Sequence, residues 1–529
     1  MATTRTRKAK TSSNGQSLKS FNPRTGEVMR EIPATNPGEV ADIVAQARKV
    51  QPEWAAIAPQ GRANILKEVR YRIYDLMDDI VETVAAEAGK PRAEALAHDI
   101  VPPMLMLSHL ERTAPKALRS QKVGGIMGPL LFGTSSRIDW RPYGVVGAIT
   151  PWNYPITNCF LGFAPALFAG NVVVIKPSEV TPACGELMRQ ILEPLPPGVA
   201  NVMQGGGDVG AALVDAPCDK ISFIGSPATG RKICEAAAKH LTPVVMELGG
   251  KDAAIVLEDA DIDVASSGIL WGAFFNAGQT CCSIERAFVV DSVADDFEDK
   301  LVSKLQLLRQ GGEDGDVGSL TFKGQFDKIV GQVADAKKKG ANILAGGEEG
   351  RTNEGGSLWF APTVVKGASE EMDIVKEENF GPILTITRVQ DQEEAIRRAN
   401  ESFNLTASVW TKDRKRADDV ATKVKAGGIG SNDHGTLPGM PWAPWGGVGE
   451  SGFGRLSGEL GIREFTVPTH IAHSLMPGRK KPFWYPYDET TTGLFSSMAR
   501  LFGSRDVGEK IGAVVSVLGN FSKSAKTRL

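Results

Sequence analysis

The chain has 529 residues, 42% of them hydrophobic and 23% charged, a length that calls for two or three domains with large buried cores and no need of stabilising staples. Its 60 basic and 62 acidic side chains leave a formal charge of −2, so no overall field draws it to nucleic acid or to an anionic membrane, and a small molecule is the expected partner. The six cysteines form no CxxC pair and no disulfide framework; they fit reduced thiols in a cytoplasmic compartment and leave room for a catalytic cysteine.

The N-terminal stretch MATTRTRKAKTSSNGQS is basic and Ser/Thr-rich but lacks the apolar run of a secretory signal, and residues 1–20 read as a disordered tail. No run of about 18 apolar residues occurs, which removes a transmembrane helix from the expectations. From Pro37 to Gly89, apolar residues recur at helical spacing (Val40, Ile43, Val44 and Ala47, then Ile65, Val69, Ile73 and Leu76) and predict several amphipathic helices. MGPLLFGTSSRIDWRPYG is punctuated by Gly128 and Gly133 and ended by Pro142, so an extended hairpin reaching outside its domain is expected over 128–141.

From Tyr143 the pattern changes to short β-branched runs, VVGAI, NVVVIK, ANVMQ, KISFIG and PVVMEL, separated by stretches of helical length. Strand alternating with helix predicts parallel βαβ units and a doubly wound sheet. Ligands on such sheets sit beyond the carboxyl ends of the strands, where PWNYP, KPSE, GSPATG and ELGG fall. GGGDVG, with Gly205, Gly207 and Gly210, matches GxGxxG literally. It does not open the first βαβ unit, and the next strand ends in FIGSP instead of an acid, so it reads as a tight turn.

After Gly250 the runs AAIVL, AFVVD, LTITR and SVWT predict a second α/β unit, and a cleft between two such units is a common reaction site. Beyond Met476 comes a basic, aromatic, Pro-broken linker, PGRKKPFWYPY, then a stretch carrying Phe495, Leu501, Phe502, Val514, Val515 and Leu518. From Pro477 onward there are nine basic and four acidic residues. This extension is read first as folding back on its own protein and second as lying on an anionic membrane.

Cys281 stands in FFNAGQTCCSIER, directly after the helix-like WGAFFNAG. Taken singly, such a cysteine is more often a small buried hydrophobe than a nucleophile, and Glu247 before Leu-Gly-Gly reads as a capping or surface carboxylate. None of His98, His109, His240, His434, His470 and His473 belongs to a Cys-His signature or an HExxH motif, so neither a papain-like protease nor a metal site is indicated.

The string NAGQTCC resembles the cysteine signature of the aldehyde dehydrogenase superfamily, and MELGGKD, with Glu247 34 residues before Cys281, resembles its glutamate signature. PWNYP, KPSE, GSPATG, ENFGP and PWGGVGESGFGR match further family motifs in order, over roughly Pro37 to Thr469. The resemblance implies an α/β fold of two doubly wound α/β domains plus a small β oligomerisation element. Residues 21–127 and 142–247 would form an NAD-binding domain, 248–464 a catalytic domain, 128–141 and 465–476 the oligomerisation element, and 477–529 a C-terminal extension. A homodimer or homotetramer is implied with it.

By the same resemblance Cys281 is the nucleophile, Glu247 the general base and Asn153 the oxyanion-hole amide, with the Cys281 N–H as second donor. The chemistry is coherent: a thiolate adds to an aldehyde carbon, preorganised donors hold the resulting alkoxide, and a base delivers water to the thioester left after oxidation. Gly225, Ser226 and Gly230 are implied near the pyrophosphate and nicotinamide, Lys176 and Glu179 at the adenosine ribose, Glu378 at the nicotinamide ribose, and Phe380 beside the ring. Trp152, Ser178 and Leu248 join this cofactor set. A carboxylate at Glu179 would repel a 2′-phosphate, so NAD is favoured over NADP.

Where semialdehyde-acting relatives often carry arginine and betaine-aldehyde relatives often carry tryptophan, this sequence has Leu161. With Ile156, Phe160, Trp442 and Trp445 it suggests an uncharged tunnel for aliphatic or aromatic aldehydes. A semialdehyde or CoA-acylating enzyme, or a non-catalytic member, are the alternatives.

Overall fold

The computed structural model describes residues 16–125, 128, 132–311, 314–349 and 358–524. The chain divides into two compact units, one from residues 1–118 and 141–467, the other from 119–140 and 468–529.

In the first unit the expected tail ends early. Ser17–Phe21 is a strand paired antiparallel with Val28–Pro33, Ser17 opposite Pro33, while residues 1–15 of that expectation lie outside the described residues. The helical stretch follows as Val40–Ala56, Pro59–Asp75 and Met77–Ala88. Val40, Val44, Ala47, Leu66, Val69 and Ile73 are buried, at the spacing of one helix face turned to the core.

The first sheet runs in the order Gly452–Phe453, Val244–Leu248, Lys220–Gly225, Val145–Ile149, Val172–Lys176, Ala200–Val202. All neighbours are parallel except Gly452–Phe453, which lies antiparallel to Val244–Leu248 with Gly452 opposite Glu247. The chain winds from Val145–Ile149 outward through Val172–Lys176 to Ala200–Val202, then returns to the other side of its starting strand. Its direction therefore reverses between Val145–Ile149 and Lys220–Gly225, where Ile149 sits opposite Phe223. That reversal point opens the crevice in which doubly wound sheets take ligands.

GGGDVG follows the edge strand in sequence, and a Cβ on Gly210 would come within 3.7 Å of the Lys176 side chain and 4.0 Å of Ile149. The tight turn expected there is shorter than the motif: Gly206 caps a helix over Gly207–Asp215 that contains both Gly207 and Gly210.

The second sheet has the order Asn342–Ala345, Thr363–Lys366, Ile383–Val389, Ile284–Val290, Asp252–Val256, Asn404–Trp410, Ala426–Ser431. Its first strand is antiparallel and the rest parallel. The residues of 284–290 and 404–410 are buried throughout, as parallel strands covered on both faces require. The expected 248–464 block is not confined to this sheet. Gly452–Phe453 joins the first sheet, Leu456 and Ile462 are buried in the first sheet's core, and Glu464 pairs with Lys220 at 2.7 Å.

In the second unit a three-stranded sheet has the order Thr466–Ser474, Thr134–Pro142, Gln121–Val123. The hairpin expected over 128–141 thus begins at Gln121, which lies antiparallel and opposite Ile138; residues 126–127 and 129–131 lie outside the described residues. Helices Glu489–Gly503 and Val507–Ser524 follow. Among the described residues, no helix is long and apolar enough to cross a membrane.

Candidate active site

Cys281 lies at the junction of two cavities of the first unit. One, of about 260 Å³, is lined by Trp152, Asn153, Gly225, Ser226, Glu247, Glu378 and Phe380 among others. The other, of about 430 Å³, is lined by His98, Met106, Leu161, Trp271, Phe275, Trp442 and Trp445 among others. The NAGQTCC turn that presents Cys281 follows the helix Ile262–Phe274. It reverses the chain through three left-handed residues in a row: Asn276 and Ala277 at φ 53° and Gly278 at φ 69°. Non-glycine residues hold that conformation only when their surroundings over-determine it. Here the Asn276 N–H donates to the Glu94 carboxylate at 2.8 Å, and Gln279 Oε1 accepts the Thr321 N–H at 2.9 Å.

Asn153 is fixed from all sides. Its Oδ1 accepts from Asn158 Nδ2 at 2.9 Å, which sets the amide's orientation, and its Nδ2 donates to the Gln279 carbonyl at 2.9 Å. An amide nitrogen carries two protons, so one remains for an oxyanion. The Asn153 carbonyl accepts from Lys90 Nζ at 2.8 Å and from Asn276 Nδ2 at 3.0 Å, tying it to the cysteine turn. Lys90 forms a fully buried ion pair with Asp99 at 2.9 Å and sits over the Tyr154 ring, 4.4 Å from its centroid. Asp99 in turn accepts the N–H groups of Ile156 and Thr157 at the start of the helix Thr157–Ala169.

Glu247 is buried, and its Oε1 has no hydrogen-bond partner. Burial pushes its carboxyl up to about 7, with the neighbouring Cys281 and Trp445 side chains pulling the other way. The Cys281 thiol is raised well above the ordinary cysteine range by the Cys282 thiol, by burial and by the charge of Glu247. In this state the nucleophile candidate is therefore a thiol that needs a base, not a resting thiolate, and a carboxyl poised near neutrality lies beside it.

The smaller cavity brings together five of the residues expected to bind cofactor: Trp152, Gly225, Ser226, Glu378 and Phe380. Ser226 caps the helix Pro227–Ala238 through the Thr229 N–H, leaving a helix N-terminus beside the cavity, a fitting place for phosphate. Trp152 meets Phe322 and Phe380 edge-on at 5.1 and 5.5 Å, forming aromatic walls suited to a flat ring. Glu378 accepts the Gly250 N–H at 3.2 Å; burial and the nearby Glu285 push its carboxyl up to about 8. The turn that carries it is held by the buried Glu285, paired with Lys251 at 2.7 Å and accepting the N–H groups of Asn379 and Phe380.

The other five expected cofactor residues do not line that cavity. Lys176 and Glu179 pair with each other at 2.6 Å, and Glu179 borders a separate cavity that shares Phe322 with this one. Ser178 accepts the Val180 N–H. Gly230 and Leu248 pack together: a Cβ on Gly230 would come within 2.8 Å of the Leu248 side chain.

The tunnel expectation needs one correction. Leu161, Trp442 and Trp445 line the larger cavity, but Ile156 and Phe160 turn into the core, because the helix Thr157–Ala169 is buried on nearly every face. The cavity takes its other walls from His98, Val101, Leu105, Met106, Trp271 and Phe275, which sequence reasoning missed. Their apolar spacing reads equally as helix core, and only the fold opens a cavity beside them. Lys90, Asp99 and Asn158 carried no motif signal either; each acts through contacts that the chain's folding creates.

A family model for the aldehyde dehydrogenase family matches residues 10–471. A 4,4'-diapolycopene aldehyde oxidase of Methylomonas sp is 34% identical over 475 residues, covering 89% of this chain and 88% of that protein. A chloroplastic betaine aldehyde dehydrogenase of Atriplex hortensis is 36% identical over 462 residues, covering 84% of this chain and 90% of that one. Among solved structures, a point mutant of betaine aldehyde dehydrogenase from Staphylococcus aureus, in complex with NAD+ and with a BME-modified cysteine, superposes with a TM-score of 0.84. It is 30% identical and covers 90% of this chain and 97% of its own. Paired doubly wound sheets, the cysteine turn and this near-complete match together make the chain a member of the aldehyde dehydrogenase family of NAD(P)-dependent oxidoreductases.

Proposed function

We propose that the protein oxidises uncharged aliphatic or aromatic aldehydes to carboxylic acids, with NAD as the preferred acceptor. The observation that carries the substrate class is the larger cavity. Its walls contain no lysine, arginine, aspartate or glutamate, and His98 is kept neutral because burial and Lys90 pull its imidazole down to about 3. A substrate carboxylate would enter without a counter-charge; for a quaternary ammonium Leu161 offers no cation-π face, although Tyr154, Trp271 and Trp442 stand on other walls. The names of relatives do not choose among substrates: at 34–36% identity one is named for a diapolycopene aldehyde, one for succinate semialdehyde with NADP(+), and one for betaine aldehyde.

The steps follow from the side chains. Glu247, near half-ionised at neutral pH, takes the Cys281 proton. The thiolate then adds to the aldehyde carbon, giving a thiohemiacetal whose oxyanion is held by the spare Asn153 amide proton and the Cys281 N–H. Trp152, Gly225, Ser226, Glu378 and Phe380 would hold a nicotinamide dinucleotide, which when bound would supply the acceptor for the hydride lost from the thiohemiacetal carbon. Once Glu247 has released its first proton to solvent, it deprotonates the water that hydrolyses the thioester left on Cys281, freeing the acid and regenerating the thiol, a role no CoA-acylating relative requires. At the adenosine end, Lys176 and Glu179 would bond the ribose hydroxyls, and the Glu179 carboxylate would oppose a 2′-phosphate. The three-stranded sheet of the second unit is the proposed oligomerisation element of a homodimer or homotetramer.

The test is NADH formation with hexanal, benzaldehyde and succinic semialdehyde. Cys281→Ser should fall to background and Glu247→Gln by about 10²–10⁴-fold. A clear preference in kcat/KM for succinic semialdehyde would sink the uncharged-tunnel reading, and a fully active Cys281→Ser would sink the mechanism.

A further inference from the structure

Helix Val507–Ser524 is amphipathic in the wrong sense for a free surface helix. Val507, Ile511, Val514, Val515 and Leu518 recur at i, i+4, i+7, i+8 and i+11, so they share one face, yet they are 41–69% exposed. The opposite face is the covered one: Ala513 and Val517 are buried, and the Ser516 hydroxyl meets Ser497 of the preceding helix at 2.8 Å. That helix, Glu489–Gly503, adds the exposed Phe495 and Phe502, and the linker before it adds the exposed Trp484, Tyr485 and Tyr487.

Charge indicates what covers this face. From Pro477 onward the sequence has nine basic and four acidic residues, a surplus of five in a chain whose total is −2, and six of those basic side chains lie among the described ones. Arg479, Arg500 and Arg505 are exposed within the same stretch of chain. Two copies apposed through this face would bring like charges together, whereas an anionic surface would complement them. Trp and Tyr are the aromatics that favour a bilayer's polar–apolar boundary. No helix among the described residues can span a bilayer, so the contact would be peripheral. The family match ends at residue 471, before any of these side chains.

We infer that the exposed apolar stripe of Val507–Ser524, with Phe495, Phe502 and the basic linker, is a peripheral docking surface for an anionic lipid bilayer. Sedimentation of the full-length protein with phosphatidylcholine vesicles, with and without phosphatidylglycerol, tests it. Wild type should pellet with the phosphatidylglycerol vesicles and be released by high salt. Ile511→Glu/Val515→Glu and, separately, Arg500→Glu/Arg505→Glu should each weaken vesicle partitioning roughly tenfold or more, with circular dichroism and NADH formation from hexanal unchanged. Wild type that stays in the supernatant, or variants that bind as well as wild type, would overturn the inference. So would binding equally strong to pure phosphatidylcholine. Gel filtration showing that the apolar double substitution splits an oligomer, without vesicle binding by wild type, would assign the stripe to a second copy instead.

Discussion

As the proposed base, Glu247 would be under two opposed demands: burial favours its neutral form, while a base must be charged. With a folded-state value of about 7 against an ordinary 4.5, kcat/KM should fall about tenfold per pH unit once the pH drops below 7. The same shift fixes a sign for stability. The fold favours the protonated carboxyl, so the residue costs nothing below about pH 4.5 and its full penalty, about 3 kcal/mol, above pH 7. Glu247→Gln should therefore melt above the parent at alkaline pH, the two curves converging as the pH is lowered towards 4.5, even as NADH formation collapses; thermal melts across that range check it. A variant that melts below the parent at alkaline pH would show that the carboxylate is stabilised by contacts absent here. Cys281, Glu247 and Asn153 were legible in the sequence because each sits inside a motif. Asn158, which orients Asn153 from five positions away, and Lys90, which holds it from 63 positions away, were not, since a lone Asn or Lys has no pattern until the chain folds.

The cysteine turn works as an element whose shape allows almost no variation at one position. Gly278 lies at φ 69°, and a Cβ there would come within 2.1 Å of the Gly381 carbonyl oxygen, a backbone atom that cannot swing aside. Gly278→Ala should displace the turn and abolish most NADH formation while circular dichroism stays near that of the parent. Gly331→Ala is the matching control: a Cβ there meets nothing within 4 Å, and the residue lies inside the helix Lys323–Lys338. The control should be active and more stable by up to about 1 kcal/mol. If Gly278→Ala kept full activity, the turn's tight approach to Gly381 would have no catalytic consequence. At this scale the alternation of strands and helices was readable from β-branched runs, because parallel strands buried on both faces leave that signature. Edges were not. The strand at Ser17–Phe21 is polar and half-exposed, and Gly452–Phe453 is a two-residue strand inside a glycine-rich loop; neither has a period long enough to detect.

Across the whole molecule, residues far apart in sequence meet because the first sheet reverses its winding between Val145–Ile149 and Lys220–Gly225, delivering Asn153 and Ser226 to one crevice that Cys281 enters from the second half of the chain. The motif order implied this convergence; the cavity beside it, walled by Met106, Trp271 and Phe275, needed the fold. An uncharged tunnel and a basic, apolar C-terminal surface pose a joint question about where substrate comes from. Long-chain aldehydes partition into bilayers, so an enzyme docked on the same bilayer meets them at a raised effective concentration, while a short aldehyde in water gains nothing. Hexadecanal carried in phosphatidylglycerol-containing vesicles should therefore show a lower apparent KM than the same aldehyde in phosphatidylcholine vesicles, with hexanal indifferent to either. Arg500→Glu/Arg505→Glu should erase that difference and leave the hexanal rate alone. If hexadecanal were oxidised with the same KM from both vesicles, tunnel and surface would be independent features, and the substrate would reach Cys281 from water.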